Sequence, residues 1–318
     1  MKPRPFRFGV LGETLSSRED LVQTARAAEG LGYATFLIRD HFVAEPFGRQ
    51  LAPLAALATV AAVTETLRIG TLVLDNDYRH PVVLAKEAAS LDLLSGGRLE
   101  LGLGAGWLRA EYEQAGIPFD RAGVRIDRFV EALRVLKGLF ADAPFTFAGD
   151  HYAIAGLHSF PRPAQRPHPP ILVGAGGRRM LAIAAREADI IGILTASVAS
   201  GVLSSDPAER SAANVARKVE WVRQAAGDRF PAIELSLVAS VALAANARRA
   251  AERYARAQGW GGIPVEQVLD MPSVLVGPVD QIVEQLRARR ERFGFSYYVV
   301  SDRVMADFAP VVAPLAGA

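Results

Sequence analysis

The chain has 318 residues, 50% hydrophobic and 22% charged, which is enough to bury one large core. A formal net charge of +2 and a pI near 9.0 leave acids and bases almost balanced, so nothing suggests a nucleic-acid binder. There is no cysteine, which excludes disulfides and thiolate metal sites.

The opening Met1-Lys-Pro-Arg-Pro-Phe-Arg7 runs into a first strand, Phe6 to Leu11, without the apolar core of a signal peptide. Ser16 and Ser17 are N-cap candidates for a helix through Leu31, with Glu19 and Asp20 in the first turn, where the helix dipole favours acids. Tyr33 to Ile38 reads as the second strand and leads into Arg39-Asp40-His41. Pro53 starts the next helix, whose apolar run to Val63 falls short of the ~20 residues a bilayer span needs. A soluble, cytoplasmic protein with no membrane partner is expected. Arg68 to Leu74 is a third, buried strand, followed by the polar break Asp75 to His80 and a helix from Val82 to Leu94 that Ser95-Gly96-Gly97 stops. The fourth strand, Leu99 to Leu103, ends in Gly104-Ala-Gly-Trp107. Strand, helix and strand joined this closely make a right-handed parallel crossover. The polar and glycine-rich loops therefore leave the carboxyl ends of neighbouring strands, where α/β folds hold their ligands.

After an amphipathic helix from about Arg121 to Phe140, Phe145 to Ile154 predicts a hairpin turning at Gly149-Asp150. Phe160 to Pro170 carries five prolines and reads as extended surface chain. Both form an excursion between barrel units four and five. The rhythm resumes with Ile171 to Val173, Gly174-Ala-Gly-Gly177, a helix from Arg178 to Glu187 and the strand Asp189 to Ile193. Thr195 to Pro207, small and polar, reads as a mobile lid. A helix to Ala226, the strand Ile233 to Leu243 and a helix from Ala247 to Gln258 supply units six and seven. Pro278 starts a last long helix ending at Gly294, and Tyr297 to Val300 is the eighth strand. Eight units predict one closed (β/α)8 TIM barrel over residues 1–318.

Three places carry possible chemistry. Asp40-His41 stands just past the second strand, where an imidazole can pass a proton and an adjacent acid can orient it. A polar loop pair without a role fits that position equally well. Gly174, Gly176 and Gly177 join a strand to a helix whose free N–H groups suit an anion. Arg178 and Arg179 oppose the dipole there, so a nearby phosphate would relieve the conflict. The dinucleotide fingerprint is absent, since it would read GxGxxG in the first βα turn. Gly106 and Trp107 offer a close backbone and an apolar wall to a flat cofactor, although Trp107 packing under its loop is the simpler alternative. Asp75, Asn76 and Asp77 could contact a ligand's polar edge or merely solvate a turn. His80, His151, His158 and His168 sit in turns or in the excursion, and no HExxH or His-x-His spacing occurs, so no metal site is expected.

Taken together, Asp40-His41, GTLVL…RHP, LSGGRLELGLGAGW…E from Leu94 to Glu111, PPILVGAGG, and VLVGPVDQIVEQLRARRERFGFSYYVV resemble the luciferase-like monooxygenase superfamily. The resemblance runs from the first strand to the eighth and is strongest to the branch that uses the deazaflavin coenzyme F420. It implies a barrel with a flavin-type ring in its mouth, and a non-prolyl cis peptide behind the ring at Leu72-Val73. Asp75 and Trp107 match cofactor-lining positions, Gly176 and Gly177 match the backbone donors to the cofactor phosphate, and Asp40-His41 matches the pair beside the reactive face. Some coenzyme F420 enzymes carry an acid at the Trp107 position, and this chain does not.

The expected function is a coenzyme F420-dependent oxidoreductase passing hydride between the deazaflavin and a small organic substrate. His41 would give or take the proton, with Asp40 setting its position. The alternative is an FMN-dependent monooxygenase using reduced flavin and oxygen, and a third reading is a silent cofactor-binding barrel. The resemblance also implies a homodimer.

Overall fold

Short parallel strands with apolar residues on both faces lose their open edges only by closing on one another. In the computed structural model, which describes residues 4–198 and 201–318, they do so. Residues 1–3 at the expected start, and Ala199 and Ser200 in the expected lid, lie outside the described residues. In chain order come β1 (Arg7–Leu11), α1 (Arg18–Gly30), β2 (Thr35–Ile38), α2 (Pro53–Val63), β3 (Arg68–Thr71) and its continuation β4 (Leu74–Asp75). Next are α3 (Pro81–Leu94), β5 (Leu99–Gly104), α4 (Arg109–Ala115), α5 (Ala122–Phe140) and the hairpin β6 (Phe145–Ala148) and β7 (Ala153–Leu157). Then follow β8 (Ile171–Ala175), α6 (Arg178–Glu187), β9 (Ile190–Ile193), α7 (Ala212–Ala226) and β10 (Glu234–Val238). The chain ends with β11 (Ser240–Leu243), α8 (Ala247–Ala257), α9 (Val265–Asp270), β12 (Val274–Gly277), α10 (Val279–Phe293), β13 (Phe295–Ser301) and α11 (Met305–Val312).

The parallel order β3-β2-β1-β13-β10-β9-β8-β5 closes where Ile69 and Gly70 of β3 meet Leu99 and Glu100 of β5. This is the expected TIM barrel. Of the two N-cap candidates, Ser16 and Ser17, it is Ser17 whose side chain accepts from the Asp20 N–H. The hairpin pairs antiparallel, Phe147 beside Ile154, and the proline-rich segment 160–170 holds neither helix nor strand. No helix among the described residues is long and apolar enough to cross a membrane.

One expectation needs correcting. Ile233 to Leu243 is not a single strand. Ala239 still donates to Val299 of β13, but the next N–H, Ser240, donates to Ser273, so the chain leaves the barrel there. β11 pairs with β12 instead, Ser240 beside Val274. With α8 and α9 they enclose a small core of their own around Trp260, Val268 and Met271.

Alternation along the strands sorts the barrel's side chains. Leu11, Leu37, Leu172, Ile190, Tyr297 and Val299 fill the inside, while Phe8, Phe36, Leu101, Val173 and Tyr298 pack outward under the helices. At the amino ends of the strands the interior is closed by charge. Arg7 donates to Glu100 at 2.6 Å and to Glu234 at 2.5 and 3.1 Å, Arg68 donates to Glu100 at 2.7 Å, and the Tyr297 hydroxyl reaches Glu100 at 3.2 Å. Glu100 is 1% exposed. Burial pushes its pKa up, but Arg7 and Arg68 more than offset that, and the carboxyl stays below its usual range. Replacing Glu100 by Gln should therefore lower stability by about 1–3 kcal/mol, because it takes the counter-charge from the half-buried Arg68 and leaves Arg7 with Glu234 alone. A urea titration with an unchanged midpoint would contradict this.

Candidate active site

Ligand-facing chemistry gathers at the other end, where the loops leave the carboxyl ends of the strands. Val73 lies across this mouth because two neighbouring strands carry glycine there. A Cβ on Gly104 would stand 2.8 Å from Val73 Cγ2, and one on Gly174 3.4 Å from both Val73 methyls. The Leu72-Val73 peptide is cis, as the resemblance implies, and both side chains rest on the barrel's interior cluster.

His41 sits just past β2. Its Nδ1 lies 2.9 Å from Glu111 Oε2, and the Phe42 and Val43 N–H groups donate to Glu111 Oε1, the latter at 3.3 Å. Glu111 is 1% exposed. Burial pushes its pKa up, while His41 and the Phe42 N–H pull it further down, so its carboxyl remains below the usual range and is ionised at neutral pH. The acid that orients His41 is thus Glu111, and the expected role for Asp40 is corrected. Adjacent side chains in extended backbone point opposite ways. Asp40 turns away, accepts from both Nη atoms of Arg79 (one at 3.0 Å) and takes the Asp75 N–H at 3.1 Å. Glu111 stands in the resemblance segment, yet its partner lies 70 positions earlier, too far for local spacing to reveal.

Aromatic groups wall the same side. His41 is 5.2 Å from the Phe47 ring and 6.1 Å from Trp107, and Phe47 and Trp107 are 6.1 Å apart at 66°. Beneath Phe47, at 4.2 Å, lies the Arg39 guanidinium, itself paired with Glu13.

Asp75 and Gly106 meet, but below the surface of the mouth. The Tyr112 hydroxyl is 2.8 Å from both oxygens of Asp75 and 3.1 Å from Asp77, and Arg128 holds Asp77 at 2.9 Å. Gly106, at φ 70°, covers this cluster, and a Cβ there would overlap the Tyr112 hydroxyl and come within 2.6 Å of Asp75. Burial pushes Asp75 up to about 7, and neighbouring Asp77 and Asp40 add to the rise against hydrogen bonds from the Asp77 N–H and Tyr112.

Gly177 caps α6 without a side-chain hydrogen bond, and a Cβ built on it would meet nothing within 4 Å. The N–H groups of the first turn are therefore open to an anion. Of the two arginines, Arg179 pairs with Asp127, whereas the exposed Arg178 guanidinium stands 5.9 Å from the Trp221 ring and is in no ion pair among the described residues. Gly176 faces the loop after β9, where its Cβ would be 3.1 Å from the Leu194 carbonyl. That loop, the expected lid, is tied at several described points. Lys218 donates to Leu194 and Thr195 at 2.7 and 2.8 Å, Ser197 Oγ lies 2.8 Å from Glu209, and Trp260 Nε1 donates to Ser205 at 2.8 Å. Gly201 lies against the Trp107–Arg109 backbone, where its Cβ would come within 3.1 Å of the Trp107 carbonyl.

Comparison with known proteins identifies the family and the fold. The sequence profile of the luciferase-like monooxygenase family matches residues 5–297. An F420-dependent glucose-6-phosphate dehydrogenase of Amycolatopsis mediterranei is 32% identical over 205 residues, 63% of this chain and 60% of that protein. An FMNH(2)-dependent dimethylsulfone monooxygenase of Pseudomonas putida is 34% identical over 128 residues, 40% of this chain and 35% of that one. The chain thus spans less than two thirds of either relative. Among solved structures, monooxygenase RslO1 from Streptomyces bottropensis shares the fold at 23% identity and TM-score 0.74, covering 97% of this chain and 99% of that one. The coenzyme F420-dependent tetrahydromethanopterin reductase from Methanopyrus kandleri shares it at 17% and 0.75, covering 99% and 98%.

The Asp75 cluster makes a pH-dependent prediction. A carboxyl raised above its unfolded value favours the fold fully at low pH, and that contribution is lost as pH rises through the folded value. Asp75→Asn cannot ionise, so its melting temperature relative to the unsubstituted protein should climb between about pH 4 and about pH 7 and level off above. A difference that stays constant over that range would contradict a raised Asp75.

Proposed function

The chain belongs to the luciferase-like monooxygenase family, and on that premise we propose that it is a coenzyme F420-dependent oxidoreductase acting on a small organic substrate. The observation that carries this reading is His41, held by the buried anion of Glu111 at the rim of a mouth whose floor is Val73 between two glycines. A bound deazaflavin would supply the hydride chemistry. Hydride exchange with a carbonyl or alcohol also needs a proton at the substrate oxygen, and His41 provides it. With Nδ1 committed to Glu111, Nε2 is left to take the proton from an alcohol or return it to a ketone, and Glu111 stabilises the imidazolium. Asp40 supports this indirectly by fixing Arg79 and the backbone at Asp75. Leu72, Val73 and Trp107 would wall the ring, Asp75 and Gly106 support it from below, and the main chain at Gly174, Gly176, Gly177 and Arg178 would take the phosphate.

The longer match supports this cofactor: the F420-dependent relative aligns with 63% of the chain at 32% identity, the FMNH(2)-dependent one with 40% at 34%. The second reading, an FMN-dependent monooxygenase, rests on that 34% identity, and the same amides would serve FMN. A homodimer is also inferred. α2 contains no charged residue, yet Ala55, Ala58 and Ala62 lie exposed along one face, and Val83 of the next helix, α3, is exposed as well. A helix apolar all round is ordinarily buried, and a second copy would cover this one.

Titrating the protein with coenzyme F420 and with FMN, followed by cofactor absorbance, tests the reading. F420 should bind more tightly and support turnover, whereas binding of FMN alone with oxygen consumption would establish the second reading. Light scattering should give a dimer that Ala58→Arg converts to a monomer, and a monomer without the substitution would remove the dimer.

A further inference from the structure

The rim of the mouth divides by chemistry. The charged groups beside its aromatic wall at 39–41 are answered within the protein: Arg39 by Glu13 under the Phe47 ring, His41 by Glu111, and Asp40 by Arg79. The Lys218 ammonium, below the loop after β9, is given to the Leu194 and Thr195 carbonyls. The apolar groups are left open. Leu194, just past β9, is 37% exposed, and Val238, the last residue of β10, is 43% exposed. Alternation from Ile190 inside the barrel sends Gly192 and Leu194 toward the axis, and alternation from Glu234 does the same for Val238. In an eight-strand barrel β2 and β9 lie on opposite sides. The aliphatic wall of Leu194 and Val238 thus stands across from the aromatic wall of Phe47 and Trp107.

Branched side chains left in water at a concave rim mark a surface meant to be covered by a ligand. We propose that the second reactant is an uncharged molecule with an apolar body, received between Phe47 and Trp107 on one side and Leu194 and Val238 on the other. This rests on the redox reading of the mouth given above. A carboxylate or sulfonate entering the same space would lose water and find the cations named here already committed, a cost that a neutral ketone, aldehyde or alcohol does not bear. Its one polar atom would be met by His41.

The test uses the cofactor-loaded protein and two probes of nearly the same shape, acetophenone and benzoate, with binding read by equilibrium dialysis. Acetophenone should bind at least about tenfold more tightly than benzoate. Val238→Asp should weaken acetophenone by about tenfold. Val238→Thr, close in shape, serves as the control and should weaken it less, with circular dichroism confirming that both variants are folded. Benzoate binding as tightly as acetophenone, or Val238→Asp without effect on a folded protein, would overturn the proposal. If neither coenzyme F420 nor FMN binds in the same cell, the redox reading fails and takes this proposal with it. If a cofactor binds and the neutral probe has no advantage, the proposal alone fails.

Discussion

A buried carboxylate without donors would cost several kcal/mol, and Glu111 finds its donors in a segment from another part of the barrel. Its two oxygens take the Phe42 and Val43 N–H groups and face His41 Nδ1, so the loop after β2 is bound to α4 across the intervening unit. Everything on that side of the mouth follows from this tie. It fixes the direction of the imidazole and brings Phe47 and Trp107 within about 6 Å of it.

The two ends of the barrel divide the work. At the amino ends, Arg7, Arg68, Glu100 and Glu234 satisfy one another and close the interior. At the carboxyl ends, glycines at 104 and 174 remove side chains where Val73 must lie. Conserving charge pairs below and emptying space above is how one barrel is stable and still open to ligands. Asp75 belongs to the boundary between these zones. Its carboxyl supports Gly106 from beneath and shares the Tyr112 hydroxyl with Asp77.

Much of this was readable from residue order because it depends on near neighbours. The helix from Arg178 to Glu187, the Ser17 cap and the hairpin around Gly149 all rest on periodicity, capping and turn chemistry, which act over a few residues. What could not be read depends on distant partners. The apolar run after Ile233 looks continuous, and only the positions of Val299 and Ser273 show where it changes sheets. Adjacency suggested Asp40 as the acid for His41, but backbone alternation sends it to Arg79 instead. Arg178 and Arg179 suggested an external anion, and only the fold shows that Arg179 has Asp127 of a neighbouring helix as its partner.

The central claim is that Glu111 sets the orientation and proton position of His41. Nitrogen NMR of the imidazole in the cofactor-loaded protein tests it most directly, together with turnover of the Glu111→Gln variant. The account predicts a proton on Nδ1 directed at Glu111, a change in that nitrogen's signal in the variant, and a fall in turnover of about ten- to a hundredfold. A ring protonated on Nε2 alone, or a variant that leaves both the spectrum and the rate unchanged, would contradict it.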